Sequence, residues 1–210
     1  KKGVLKETLV NFVALLGWNP GYDCEIFSID ELISKFSLNR IHKSGAVFDK
    51  EKLSWMNSCY LKELPIDKVV EYAKPFITLD VSTHGKKFTR AIDFARNRVS
   101  FLTELNSEIK YFYTHNINEH RDLEILIEPS AKSLLNFWID ELSSSDTWTP
   151  EKFKILISKT NDKLGIKGKD LFFPIRLAIY GECKGPDIPA IYNILGHEET
   201  LNRLKSVIKV

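Results

Sequence analysis

Chemistry in a protein starts from side chains that can move a proton, hold a metal, attack a bond or grip an anion. Among the five histidines of this 210-residue chain only His115 and His120 are close, five apart with Glu119 between them. Paired metal-binding imidazoles on one helix face stand four apart and need further ligands, so this pair reads as solvated loop histidines. His42, His84 and His197 stand alone. Cys24, Cys59 and Cys183 form no Cys-x-x-Cys pair. That spacing argues against a zinc site or a disulfide framework and fits a reducing, cytosolic setting. Gly165-Ile166-Lys167-Gly168-Lys169 is a basic glycine turn, but it lacks the spacing that cradles a nucleotide phosphate. No nucleophile elbow or dinucleotide fingerprint occurs. Glu198-Glu199 and Asp140-Glu141 read as solvated helix faces. No catalytic constellation emerges from these groups.

The cations are more informative. On a helical wheel of about 100° per residue, Phe88, Ala91, Ile92, Ala95, Val99 and Leu102 share one face of the segment 86–102. Lys87, Arg90 and Arg98 gather beside it, with Phe94 and Phe101 between and flanking them. Cations for phosphates and aromatic faces for bases suit single-stranded nucleic acid. The plain alternative is a solvated flank whose phenylalanines cover the core edge. A second feature runs from Phe173-Pro174-Ile175-Arg176 to Gly185-Pro186-Asp187-Ile188-Pro189. It reads as a helix with an outward arginine, then a stiff Gly-Pro loop, then a proline-started helix. Gly185 would let the backbone approach a ligand, and Pro186 and Pro189 would rigidify the loop beforehand. Its plain alternative is an ordinary helix connection.

Helices must position these groups. Leu5, Leu9, Phe12, Val13 and Leu16 recur at helical spacing, with Gly17 as the expected C-cap. Ser28 and Glu31 have capping-box form ahead of Leu32, Ile33 and Phe36. Asp49 heads a helix with Leu53, Trp55 and Met56, and Pro65 one that carries Val69, Val70, Tyr72 and Ala73 and stops near Pro75. One long helix is expected from Lys86 to about Phe112, and another over 130–142. Ser143-Ser144-Ser145-Asp146 reads as a linker, and Thr149-Pro150 as the next helix start. Short helices follow from Pro174 to Tyr180 and Pro189 to Leu195, then one from His197 to Ile208. Ile125-Leu126-Ile127 fits either strand or helix. The expected fold class is all-α, in short-looped helical layers.

Composition sets outer bounds. With 43% apolar and 28% charged residues the chain is ordinary globular material. Thirty basic against 28 acidic residues leave a net charge of +2, which excludes a general polycation and confines any nucleic-acid surface to a local patch. No apolar run reaches the roughly 20 residues of a membrane span, and no signal peptide is visible. The chain opens on Lys1 and its only methionine is Met56, so it reads as a piece of a longer polypeptide.

Three segments then carry a resemblance. The first runs from Leu9 through Leu16-Gly17-Trp18-Asn19-Pro20-Gly21 to Ile26-Phe27-Ser28. The second is Lys43-Ser44-Gly45-Ala46-Val47-Phe48-Asp49-Lys50-Glu51-Lys52-Leu53-Ser54-Trp55-Met56-Asn57. The third is Leu171-Phe172-Phe173-Pro174-Ile175-Arg176-Leu177-Ala178 with Gly185-Pro186-Asp187 and Leu195-Gly196. In this order and spacing the chain, from about Val4 to Ile208, resembles the C-terminal half of bacterial-type glutamate–tRNA ligases. The resemblance implies a stem-contact helical region over 1–65 and two helical anticodon-binding subdomains over 66–145 and 146–210. It implies a class I synthetase in full length. The HIGH-like and KMSKS-like ATP motifs are missing here, so glutamate, ATP and Mg would belong to an absent catalytic half, with no cofactor in this chain. It implies that Arg98 reads the third anticodon base, that Arg176 is a tRNA-binding arginine of the second anticodon-binding subdomain, and that Gly185, Pro186 and Ile188 lie on the loop that holds the splayed anticodon bases. Gly185 stands where some members carry a small hydroxyl residue, which leaves backbone contacts there. The implied partners are glutamate tRNA and the catalytic domain of the same protein; the implied setting is the cytoplasm, as a monomer without membrane attachment.

The base chemistry fits an arginine reader. Glutamate tRNA ends its anticodon in cytosine, whose pairing edge offers the N3 and O2 acceptors to an all-donor guanidinium. Glutamine tRNA ends in guanine, which would face the same arginine with donors and leave groups unpaired. A good contact of this kind is worth about 1–3 kcal/mol. Lys87 and Arg90 would neutralise phosphates, adding affinity without sequence information. A different class of function also fits, a stand-alone helical protein-interaction adaptor derived from such a domain.

Overall fold

Local chemistry starts or stops five of the helices. Ser28 accepts from the Glu31 N–H while the Glu31 carboxylate accepts from the Ser28 N–H, a complete capping box that opens the helix Ile29–Lys35. Asp49 caps the helix Lys50–Glu63 through the N–H groups of Glu51 and Lys52. Thr149 caps the helix Pro150–Leu164, with Pro150 at its first position, and Asp187 caps the helix Ile188–Leu195. Gly165 ends Pro150–Leu164 and Gly181 ends Lys169–Tyr180 in the left-handed region that glycine adopts without steric cost.

The computed structural model describes residues 2–41, 47–83, 85–117 and 121–208. His42, His84, Glu119, His120 and residues 43–46 of the second segment lie outside them. The fold is all-α. The helices are α1 (Lys6–Gly17), α2 (Ile29–Lys35), α3 (Lys50–Glu63), α4 (Ile66–Ala73), α5 (Lys86–Arg96), α6 (Leu105–Tyr113), α7 (Glu124–Ile127), α8 (Pro129–Ser143), α9 (Pro150–Leu164), α10 (Lys169–Tyr180), α11 (Ile188–Leu195) and α12 (His197–Ile208). Short 3-10 turns occupy Leu38–Arg40, Lys74–Phe76 and Leu102–Glu104. Among the described residues the sole β feature is an antiparallel bridge between Trp18 and Ile41, and no helix is long and apolar enough to cross a membrane. The helices gather into two compact units, Lys1–Ile109 and Lys110–Val210.

In the first unit α1 packs on α2 and α3, and α4 on α5. A fully buried asparagine, Asn57, stitches the core: its Oδ1 accepts from the Leu5 N–H at 2.8 Å and the Thr8 hydroxyl at 2.9 Å. Its amide donates to the Ser100 carbonyl. Asn11 likewise accepts from the Phe27 N–H at 2.7 Å and lies against the Tyr60 hydroxyl. The inward face of α1 is therefore Leu5, Thr8, Asn11 and Phe12. Leu9 and Val13, expected inward, point out. So do Ile33, Phe36 and Trp55, each at least 46% exposed, while Leu32, Leu53 and Met56 are buried.

Three further expectations are corrected. Gly17 is not a left-handed C-cap but the last helical residue; the extended Trp18 follows, drawn into a buried site and bridged to Ile41. The single helix expected over Lys86–Phe112 is two helices. The break at 97–101 is held by the Glu104 carboxylate, which accepts from the Ser100 and Phe101 N–H groups at 2.8 and 3.1 Å, and by the Leu102 N–H on the Gly3 carbonyl. Pro174 does not open its helix but lies inside α10, which starts five residues earlier after Gly168.

In the second unit α12 packs on α8, α10 and α11, and α9 on α8 and α11. The connection at Ser143–Asp146 joins α8 to α9 within this unit. The Trp148 indole N–H caps it on the Ser145 carbonyl at 2.9 Å. The Trp138, Trp148 and Tyr192 rings all pack on the Phe153 ring, at centroid distances of 6.3, 5.4 and 5.2 Å.

Candidate nucleic-acid interface

In the first unit the basic stripe survives the loss of the long helix. Phe88, Ala91, Ile92 and Ala95 face the core, so Lys87, Arg90 and Phe94 line one outward flank of α5. Arg98 lies beyond the Asn97 C-cap rather than on the helix. The Asn97 side chain closes that turn on the Asp93 carbonyl at 2.8 Å, and the Arg98 N–H bonds the Ala95 carbonyl at 2.9 Å. The turn sets the exposed Arg98 guanidinium 4.3 Å from the centre of the Phe94 ring. A cation over an aromatic face is worth about 0.5–1 kcal/mol at an exposed site, enough to bias its orientation. Neighbouring Arg96 is spent inside the fold, on the Leu64 carbonyl at 2.6 Å and the Asp93 carboxylate at 2.8 Å. Position 98 thus presents a solvent-facing guanidinium held over an aromatic ring, and position 96 does not.

In the second unit the geometry joins Arg176 to the loop predicted with it. The Arg176 Nε donates to the Pro186 carbonyl at 2.9 Å, and its guanidinium lies 5.3 Å from the Phe172 ring centre, one turn earlier on α10. Arg176 is therefore half-buried and anchored, not simply outward. The loop Gly181–Asp187 is pinned on both sides of the exposed Lys184 and Gly185. Gly181 bonds the carbonyls of Arg176 and Leu177, Glu182 accepts from the Tyr111 hydroxyl at 3.0 Å, and the Cys183 thiol faces the Asp122 carboxylate at 3.6 Å. Burial pushes that thiol up to about 11. Pro186 and Ile188 are buried and Gly185 and Lys184 exposed, so the loop offers backbone at Gly185 and a cation at Lys184 rather than the side chains of 186 and 188.

Gly185 has an internal reason to be glycine. A Cβ there would stand 2.7 and 2.9 Å from Tyr180 ring atoms, and that ring is itself wedged against Tyr111 and Phe112. Gly185→Ala is expected to cost about 1–3 kcal/mol by overpacking, measured as a lower urea midpoint. An unchanged midpoint would show that the ring moves freely.

His115, expected to be solvated, is half-buried, with Nε2 2.7 Å from the Ala178 carbonyl. Nε2 therefore carries the proton and donates to the last turn of α10. Burial, aided by the nearby Arg203 charge, pushes its pKa below the ordinary value, against the pull of the Ala178 carbonyl. The unfolded chain then binds the proton first. This part of the stability is present above the unfolded value of about 6.5 and is lost as pH falls toward the lower folded value. Chemical denaturation between pH 7.5 and 5.5 is expected to show a steeper loss for the original chain than for His115→Gln; equal slopes would contradict it.

Sequence reasoning missed Phe172 as the platform under Arg176 and Arg203 as the group behind the site. The four-residue spacing from Phe172 to Arg176 was a usable signal. Among the described residues no group of three or more His, Cys, Asp or Glu is placed to hold a metal ion. The arrangement can stack bases, neutralise phosphates and present backbone groups to base edges; it contains no reacting constellation.

The family model described as an anticodon binding domain matches residues 68–208. The model for the catalytic domain of class I tRNA synthetases (E and Q) matches residues 1–55. The chain is similar to the glutamate–tRNA ligase of Natranaerobius thermophilus, 35% identical over 217 residues that cover 99% of this chain and 44% of that protein. It is also similar to that of Bacillus subtilis (strain 168), 32% identical and covering 98% and 44% respectively. A crystal structure of a glutamate tRNA ligase from Elizabethkingia meningosepticum, in complex with its amino acid, superposes with a TM-score of 0.81 at 30% identity, over 99% of this chain and 42% of that one. The chain thus spans less than half the length of these relatives.

Proposed function

The chain belongs to the anticodon-binding domain family, and on that basis we propose that it is the tRNA-recognition part of a glutamate–tRNA ligase, which attaches glutamate to its tRNA using ATP. The observation that carries this reading is the anchored Arg176. Its Nε is tied to Pro186 and its guanidinium carbon sits 5.3 Å from the Phe172 ring centre, leaving its Nη groups without a hydrogen bond among the described residues and so able to meet a base. Arg98 over Phe94 supports it from the first unit.

In this reading residues 1–65 contact the tRNA stem, and 66–145 and 146–210 are the two anticodon-binding subdomains. Arg98 takes the N3 and O2 acceptors of a terminal anticodon cytosine and refuses guanine, whose donors would leave both partners unpaired. Arg176 and the backbone at 185–186 hold the other splayed bases, with Ile188 buried behind the loop as support. Lys87 and Arg90 neutralise phosphates. The chain works as a cytoplasmic monomer, joined to a catalytic domain that supplies the class I chemistry and handles ATP and Mg; this chain itself carries no cofactor.

The test is gel retardation of the 210-residue chain with glutamate and glutamine tRNAs at low salt. Preferential retention of glutamate tRNA is expected, and binding to neither would overturn the reading. In the full-length ligase, Arg98→Ala is expected to raise the charging of glutamine tRNA relative to glutamate tRNA by about tenfold, for roughly 1.4 kcal/mol of lost discrimination. An unchanged ratio would remove Arg98 from the specificity role.

A further inference from the structure

Large exposed hydrophobic side chains are distributed very unevenly over this molecule. Of fourteen among the described residues, twelve fall between Leu9 and Trp55, leaving only Ile127 and Ile155 for the rest of the chain. Seven of the twelve lie on α1, α2 and the turn that follows. On α1, Leu9, Val10 and Val13 share the face opposite the buried Leu5, Thr8, Asn11 and Phe12. Along α2 and its C-cap residue, Ile29, Ile33 and Phe36 fall four and then three residues apart. Leu38 extends the same run and is 76% exposed.

The two helical faces meet at a cleft. It has a volume of about 320 Å³, with Val10, Phe27, Ile29 and Leu32 as its apolar lining and Lys6, Glu7 and Lys68 at its charged side. Glu7 Oε1 is taken by Lys68 and the Tyr72 hydroxyl, whereas Oε2 is shielded from water and has no partner. A helix that buries one face and still offers leucine and valine on the other has the pattern of a helix covered on both sides. A patch of this kind, rimmed by charge, marks an interaction site.

We infer that the exposed apolar face of α1 and α2 is the surface on which the remainder of a class I catalytic domain docks, with one of its apolar side chains seated in the cleft beside Glu7. The inference rests on the proposed ligase reading and adds the surface through which the two parts join. Two facts select this occupant over a second copy of the chain. The residues that match the catalytic-domain family, 1–55, are the same ones that carry the apolar excess. The relatives hold more than half of their length outside the part this chain covers.

Hydroxyl-radical footprinting tests this on the 210-residue chain and on the full-length ligase. Oxidation of Leu9, Val13, Ile33 and Phe36 is expected to be severalfold slower in the full-length ligase, with Ile127 and Ile155 oxidised alike in both. Equal oxidation of the four in both proteins would overturn the inference. So would protection already present in the 210-residue chain and deepening with its concentration, which would assign the face to a second copy. The readout is separate from tRNA binding: protection without tRNA retention would leave the docking surface standing and remove the tRNA reading, and the reverse result would do the opposite.

Discussion

Replacing Arg203 with methionine is expected to destabilise the second unit by about 3–5 kcal/mol, the cost of breaking a buried charged network by removing one partner. Arg203 is 5% exposed. Its Nη1 donates to the carbonyls of Tyr111 and Ile179 at 2.9 and 2.8 Å. Its Nη2 donates to the Phe112 carbonyl at 2.8 Å and to Glu199 at 2.6 Å, one turn back on α12. Tyr111 and Phe112 lie in the last turn of α6 and Ile179 in the last turn of α10, where helices leave carbonyls without an internal partner. One guanidinium therefore closes two helix ends, and its charge meets the negative poles of both. Methionine fills the space but gives up all four of these charge-assisted hydrogen bonds, three of them to helix-end carbonyls. Total stabilities run at roughly 5–15 kcal/mol, so a loss of this size would leave the unit barely folded. Urea unfolding followed by fluorescence of Trp138 and Trp148 measures it. Lysine at 203 should recover little, since one ammonium cannot span four acceptors with the geometry of a planar fork. A change below about 1 kcal/mol, the worth of one ordinary hydrogen bond, would contradict the role given to Arg203.

Arg176→Ala is expected to weaken tRNA binding by about tenfold to a hundredfold, the effect of losing roughly 1.4–2.8 kcal/mol of base contact and stacking. Stability should fall much less, because only the Pro186 carbonyl loses a partner. Arg176→Lys should bind nearly as poorly. It keeps the charge but has neither the Nε that donates to Pro186 nor the planar fork of donors that a base edge would meet. Fluorescence titration at fixed salt checks both variants, with a tRNA whose anticodon loop is replaced as the reference. The original chain should prefer the native loop, and both variants should lose that preference. If the lysine variant binds like the original, charge alone acts at position 176 and base recognition lies elsewhere.

What could be read in advance follows the range of the forces involved. The caps at Ser28, Asp49 and Thr149 and the stop at Gly181 were legible because each is settled by residues within a few positions. The break at 97–101 was not legible. It contains no glycine or proline, and it exists because Asn57 holds the Ser100 carbonyl while Gly3 and Glu104 take the N–H groups that a continuous helix would use. The inner face of α1 was misread for a related reason. Thr8 and Asn11 point inward to reach Asn57 and Phe27, which turns Leu9 and Val13 outward. At the site, Arg176 and the Gly-Pro loop were legible as one segment, whereas the Tyr180 ring that demands Gly185, and Arg203 behind both, become visible only once distant residues meet.

The most direct measurement is a chemical footprint of glutamate tRNA bound to the 210-residue chain, read base by base. The three anticodon bases should become protected when the chain binds, and that protection should vanish with Arg176→Ala under conditions where the complex still forms. Anticodon bases that stay as reactive in the complex as in free tRNA would contradict anticodon recognition by this chain.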